Sequence, residues 1–506
     1  MISMAPFAST ADVCLITAFG LVAWYLISAA AAWFRLRHVP GPLLAKFSYL
    51  WLGQVAQGAK QYYVHRDLCR KYGPLVRVGP NELTTDDPEV LRRIAATRSS
   101  YGKDSWYQGA RFNPYHEAMF STLDVRVHDA LKSKMGGVYG GSEAPLLEAG
   151  VAMQVRSLVE LIQKNYISAS AGDRSKLMDF APLTCYFTMD VITKVAFGQE
   201  FGYLKSNEDL YDFLRGVRDN WPKLAMSVDL PGIRNVLLSP LFLKFFGPKV
   251  SDKQGMGKLM GVAKTVVDTR FGPDKTTHKD LLGSWISKGL DQDRCETEGL
   301  FMVIAGSDTT ASAIRITMLY LMTCPNVYQK LKTEINAAWD RGGISSPISY
   351  EEAKKLPYLQ AVVYEGLRMR PPAPGLYPKT VPPEGDVIHG KFIPGGTAIG
   401  MNTASLFSSI THFGNDADVF RPERFTEATE AQRTEMERLV ELGFGYGRFM
   451  CAGKAVALME LYKVFFELLR LFDFQIANPT TPWESRSYSV FVEENMWVKV
   501  TKSSKV

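Results

Sequence analysis

The chain has 506 residues, 46% of them hydrophobic and 12% aromatic, with a formal net charge of +6. That apolar content supports a large core and excludes an intrinsically disordered chain. Lys and Arg are scattered rather than blocked, which speaks against a nucleic-acid binder and for a locally basic docking face.

The first element is an uncharged run, VCLITAFGLVAWYLISAAAAWF, at residues 13–34. As a helix it would extend about 33 Å, enough to cross a bilayer. A cleaved signal peptide would carry a basic leader, a shorter apolar region and a small-residue cleavage site, whereas here the basic residues follow the span. The expected layout is a lumenal tail at 1–12, a single-pass anchor at 13–34 and a hinge at 35–46. Arg35, Arg37, His38 and Lys46 and the stiff VPGP turn lie in that hinge, and the positive-inside tendency leaves residues 47–506 in the cytoplasm.

Further along, VLLSPLFLKFF at 236–246 reads either as a face resting on the membrane or as plain core. GLFMVIAGSDTTASAIRITMLYLM at 299–322 predicts a long buried helix in which Asp308 and Thr309 are out of place. Thr309 could bond back to the Ala305 carbonyl and bend the helix, or it could serve a reaction; the residues alone leave both open. Helices are predicted over 325–340, from Pro357 through LPYLQAVVYEGLRMR, and over 453–472, with a Gly342–Gly343 connector. YSVFV and MWVKV, separated by EEN, read as a hairpin. The predicted body is therefore mainly α with a minor β part.

The six cysteines are widely spaced with no CxxC pair, so neither a disulfide scaffold nor a zinc ribbon is expected, and a reducing compartment is. Cys451 stands between a glycine-rich loop and the last long helix, in ELGFGYGRFMCAGKAVALMELYKVFFELLRLF at 441–472. The loop is no phosphate cradle: five residues rather than four separate Gly447 from Gly453, and Ala455 follows Lys454 where Ser or Thr is needed. A dinucleotide fingerprint fails too, because Met450 occupies the place of the third glycine. A lone thiolate at a helix start is favoured by the dipole and by free backbone N–H groups. One Cys is too few for structural zinc but suffices as the axial ligand of a haem.

FGYGRFMCAG at 444–453 resembles the haem-binding signature of the cytochrome P450 monooxygenases. AGSDTT at 305–310 resembles the family's oxygen-activation segment, EGLR at 365–368 its ExxR element and FRPERF at 420–425 its PERF element, in family order. The resemblance covers essentially the whole chain. It implies the P450 fold, one large haem domain behind the anchor, with Cys451 as the metal ligand. Phe444, Gly447, Arg448, Gly453, Ala305 and Gly306 would surround the haem, and Asp308 and Thr309 would relay protons for dioxygen activation. Glu365, Arg368 and Arg424 would form a structural network rather than take part in the chemistry.

Two residues before the cysteine the family commonly has Arg or His, but here stands Phe449, as in pisatin-demethylase-like fungal members. The resemblance offers His128 and Lys132, and Lys379, as other partners for the haem propionates. It also implies an NADPH-dependent reductase as electron donor, since the chain has no flavin or nicotinamide fingerprint, with Lys132, Lys134, Arg448 and Lys454 as a docking face. The substrate would be a hydrophobic small molecule, of secondary metabolism, in contact with 101–124, 301–307, 373–377 and 487–492, and the site the endoplasmic reticulum membrane. The alternatives are a redox-neutral haem-thiolate isomerase or dehydratase on the same fold and a non-catalytic anchored binding protein.

Overall fold

The uncharged run near the start forms one helix, Thr10–Leu36, in a computed structural model that describes residues 10–139, 146–168, 176–272 and 278–503. Residues 1–9, most of the expected lumenal tail, lie outside the described residues. The stretch Asp12–Leu36 contains an 18-residue window of mean hydropathy 2.1 that buries nothing against the rest of the chain. Phe19, Trp24 and Ile27 all stand exposed, a surface suited to an apolar surround. The helix ends shortly before Pro40, which has no N–H to continue it. The exit is pinned rather than loose. Leu36 and Val39 are fully buried, Arg77 donates to the Ala32 carbonyl at 2.8 Å, and a Cβ on Gly41 would stand 2.1 Å from the Arg77 carbonyl oxygen.

The body is organised on a central helix, Gln292–Thr323, of 32 residues, about 48 Å long. Asp291 caps its start by accepting from Arg294 N, and Pro325 opens the next helix, Pro325–Asp340. The helices Phe180–Phe197, Pro357–Met369 and Lys454–Leu471 pack on it. The approach to Pro357–Met369 is close: a Cβ on Gly366 would meet the Thr317 hydroxyl at 2.0 Å.

The strands are short. A five-stranded sheet runs in the order Leu75–Arg77, Glu82–Thr85, Ala398–Met401, Lys379–Thr380, Gly102–Lys103, with Glu82–Thr85 and Ala398–Met401 parallel. A three-stranded sheet joins Leu177–Asp179, Trp497–Lys502 and Phe472–Ile476. The predicted pairing of YSVFV with MWVKV is not found. Phe491–Glu494 folds back on Glu484–Ser487, with Ser487 opposite Phe491. Trp497–Lys502 leaves for the other sheet, where it gains a partner on each edge. Asn495, at φ 58°, breaks the strand between them, and Asp179 accepts from Met496 N at 3.1 Å to start the new direction.

Residues 236–246 are not core. The helix Pro240–Phe246 buries no residue, and Val236, Leu241, Phe245 and Phe246 are exposed.

Glu365 is a fully buried charge on Pro357–Met369. Arg368 holds it through Nε at 2.7 Å and Nη2 at 2.8 Å. Arg424 reaches both of its oxygens through Nε, at 3.0 and 3.1 Å. The same guanidinium groups donate to the carbonyls of Phe407, Ala417 and Val419. The carboxylate thus ties the 407–425 segment to the helix. Breaking a buried ion pair by removing one member costs about 3–5 kcal/mol, because the remaining charges stay buried. Glu365→Ala is therefore expected to lower the unfolding free energy of the full chain in detergent by about 3–5 kcal/mol, read from equilibrium urea unfolding.

Candidate active site

The loop before Lys454–Leu471 is shaped by two glycines in the left-handed region, Gly445 at φ 79° and Gly447 at φ 52°. A Cβ on Gly447 would lie 2.5 Å from the Ala95 carbonyl, so no larger residue fits. Cys451 N donates to the Phe444 carbonyl at 2.6 Å and closes the loop. Gly453 follows as the helix N-cap, bringing the thiol to the helix start. Burial pushes the Cys451 thiol up, while the backbone N–H groups of Gly453 and Lys454 and the Lys132 charge act against it.

The accessible surface of Cys451 opens into a cavity of about 420 Å³ that it shares with Ala305, Gly306, Asp308 and Thr309 of the central helix. Phe112, Phe120, Phe301 and Val490 supply much of its apolar wall. Thr309 Oγ1 donates to the Ala305 carbonyl at 3.0 Å. Asp308 Oδ1 accepts from Arg315 Nη2 at 3.2 Å and from the Cys185 thiol at 3.6 Å. The room made by Gly306 lies toward the neighbouring helix, since a Cβ there would press on Ile192 at 3.2 Å.

Beside Phe449 the cavity gathers basic side chains. Lys379 Nζ sits 4.8 Å and Lys103 Nζ 5.8 Å from the Phe449 ring centroid, and the His128 ring lies 5.5 Å from it. Lys379 donates to Tyr107 Oη at 2.6 Å and the Tyr377 carbonyl at 2.8 Å. Lys103 donates to the Met119 and Phe120 carbonyls, each at 2.8 Å. Burial pushes both ammonium groups down to about 7, with Lys379 adding to the effect at Lys103. Burial, with Lys103 nearby, also lowers His128 to about 4, although Asp129 Oδ1 lies 2.9 Å from its Nδ1. Lys132 donates to the Arg448 carbonyl at 2.6 Å and the Met450 carbonyl at 3.0 Å, bracing the cysteine loop.

Arg448 does not join this set. Its guanidinium turns to Asp129 at 3.2 Å and to the Ser99 carbonyl at 3.2 Å, outside the cavity wall. The expected docking face is likewise thinner than its sequence: Lys454 is paired with Glu441 at 2.7 Å, while Lys134 is exposed. Lys103 is a residue the sequence reading passed over, because nothing local separates it from a surface lysine. Arg315 did carry a signal, a lone charge inside a buried apolar run.

The donor set fits a haem. Among the described residues neither Lys103 nor Lys379 has an ion-pair partner within 4 Å, and a flat apolar guest bearing two carboxylates would supply one to each. The thiol offers the axial donor.

A cytochrome P450 family model matches residues 38–499. The chain belongs to the cytochrome P450 family. It is 54% identical over 469 residues to the cytochrome P450 monooxygenase aba1 of Botryotinia fuckeliana, covering 92% of each chain. It is 47% identical over 487 residues to the monooxygenase abl1 of Leptosphaeria maculans, 95% of this chain and 86% of that one. With gsfF of Penicillium aethiopicum the identity is 31% over 505 residues, 96% of this P450 and 97% of the relative. P450s are oxygen-incorporating oxidoreductases that use haem with a thiolate ligand and electrons from a redox partner.

The two lysines give this P450 a testable pH signature. Their folded pKa of about 7 lies below the ordinary lysine value of 10.5. Above pH 7 the haem-free protein has therefore lost protons that propionate contact would restore, and haem binding should take protons up. Haem affinity is expected to fall as pH rises from 7 toward 10. Lys103→Gln with Lys379→Gln should flatten that fall, measured by haem titration of the haem-free protein.

Proposed function

We propose that this P450 is a membrane-anchored monooxygenase that hydroxylates or demethylates a hydrophobic small molecule of secondary metabolism. Its electrons come from a separate NADPH-dependent reductase at the cytoplasmic face of the endoplasmic reticulum. The observation that carries this reading is that Cys451, Asp308 and Thr309, from distant parts of the chain, share one apolar cavity. An unreactive binding protein has no need of a carboxylate and a hydroxyl beside a thiol, and the pair suits proton delivery during dioxygen activation.

Cys451 would bind haem as its thiolate, with the glycines of the loop allowing close approach and Lys103, Lys132, Lys379 and His128 facing the propionates. Haem held in this way supplies activation of dioxygen and insertion of one oxygen atom into a substrate C–H bond. The N–H groups of Gly453 and Lys454 moderate the charge on sulfur. Thr309 Oγ1 has its hydrogen engaged by Ala305, which leaves its lone pairs to accept a hydrogen bond in the cavity. Asp308, the residue before it, would supply a proton toward that hydroxyl. The aromatic wall excludes water and holds the substrate by apolar contact.

The anchor and an exposed apolar belt would set the depth in the membrane. Leu43 and Leu50 follow the hinge, and Leu241, Phe245 and Phe246 follow Leu230. A Cβ on Gly53 would contact the Leu230 side chain at 3.6 Å, which brings these stretches to one side. Lipophilic substrates would enter from there.

Growth under isotopically heavy dioxygen tests this reading. Cells with the intact gene should accumulate a labelled product that cells carrying Cys451→Ala lack entirely. Thr309→Ala should keep the thiolate-type carbon monoxide band yet lower product per NADPH by roughly tenfold or more. Unlabelled product, or product formed without reductase and NADPH, would sink the proposal.

A further inference from the structure

Arg315 lies seven residues, or about two turns, beyond Asp308 on the central helix, so both project from one face. Its guanidinium is buried, 1% exposed, and every edge is engaged. Nη2 donates to Asp308 Oδ1 at 3.2 Å. Nη1 donates to the Ala181 carbonyl at 3.1 Å and lies 3.1 Å from the Cys185 sulfur. Nε donates to Glu493 Oε2 at 2.9 Å. Ser312 Oγ donates to the same oxygen at 2.9 Å.

One guanidinium is thus shared between two carboxylates, and the contact to Glu493 is the shorter. Glu493 is fully enclosed, whereas Asp308 is partly open to the cavity. A desolvated carboxylate draws a shared cation more strongly than a half-solvated one. Cys185 completes the setting as a neutral thiol, its pKa pushed up to about 12 by burial; it donates to Asp308 while its sulfur accepts from Arg315 Nη1. Glu493 belongs to Phe491–Glu494, the strand of the hairpin whose turn residues Ser489 and Val490 line the cavity. That turn is tied down in its own right, because the Ser489 carbonyl accepts from Tyr377 Oη and Gly375 N, each at 3.1 Å.

We propose that Glu493 is a positioning residue for Asp308: by holding Arg315 through Nε it limits the grip of the guanidinium on the Asp308 carboxylate and keeps that group turned to the cavity. The proposal rests on the reading that Asp308 serves the reaction in this cavity. With Glu493 neutralised, Arg315 has one carboxylate left to pair with, and Asp308 is drawn back along the helix.

Carbon monoxide is the probe, because its stretching frequency on the reduced holoenzyme senses charges lining the cavity and needs no substrate. Asp308→Asn should shift the infrared C–O band. Glu493→Gln should also shift it, and should cause no further shift in the Asp308→Asn background. Arg315→Lys, which keeps the charge but lacks the separate Nε and Nη edges that hold Glu493 and Asp308 apart, should also shift the band and serves in place of Glu493→Gln if that variant yields no holoenzyme. A band that Asp308→Asn leaves unmoved contradicts the reading of Asp308 itself, and the proposal falls with it. If Asp308→Asn moves the band but Glu493→Gln and Arg315→Lys do not, or their shifts persist without the Asp308 carboxylate, the positioning role is overturned while the reading of Asp308 stands.

Discussion

A sulfur anion is costly inside an apolar cavity unless donors or cations stand close to it, and the surroundings of Cys451 answer that requirement. Gly453 and Lys454 present N–H groups at a helix start, and Lys132 adds a charge while its ammonium braces the loop carbonyls. The left-handed glycines are what allow so tight a loop, because the Ala95 backbone leaves no space for a side chain at Gly447. The site thus depends on close backbone packing between the loop and Ala95.

That placement rests on charges buried elsewhere. Glu365 with Arg368 and Arg424 fastens the 407–425 segment, which runs on into the helix preceding the cysteine loop. On the central helix the same physics recurs with Arg315 between Asp308 and Glu493. Buried ion networks of this kind add little net stability over an apolar core, but they fix geometry, since any misplacement strands a charge. The gain is position: a thiol, a hydroxyl and a carboxylate held around one cavity by elements far apart in the chain.

Much of this was legible in the amino-acid sequence where the determinants are local. The helix Pro325–Asp340 begins at its proline as the sequence predicts, and Lys454–Leu471 departs by one residue at each end. The first helix, Thr10–Leu36, extends beyond 13–34 at both ends, and its last turns are tied to the body by Arg77. Non-local pairing was not legible. The run MWVKV found partners at Leu177–Asp179 and Phe472–Ile476 rather than in its neighbour, and no window of adjacent residues contains that choice. Arg448 stands beside the cysteine in sequence yet faces Asp129, while Lys103, remote in sequence, flanks Phe449. Beside Phe449 stand lysines from two strands that only the five-stranded sheet brings together.

Thiolate ligation by Cys451 is tested most directly by the sulfur ligation of iron in the purified full-length holoprotein, read by X-ray absorption. One thiolate sulfur on the iron is expected, and it should disappear in Cys451→His. An iron ligated by nitrogen and oxygen alone, or a sulfur signal that survives that substitution, would contradict ligation by Cys451.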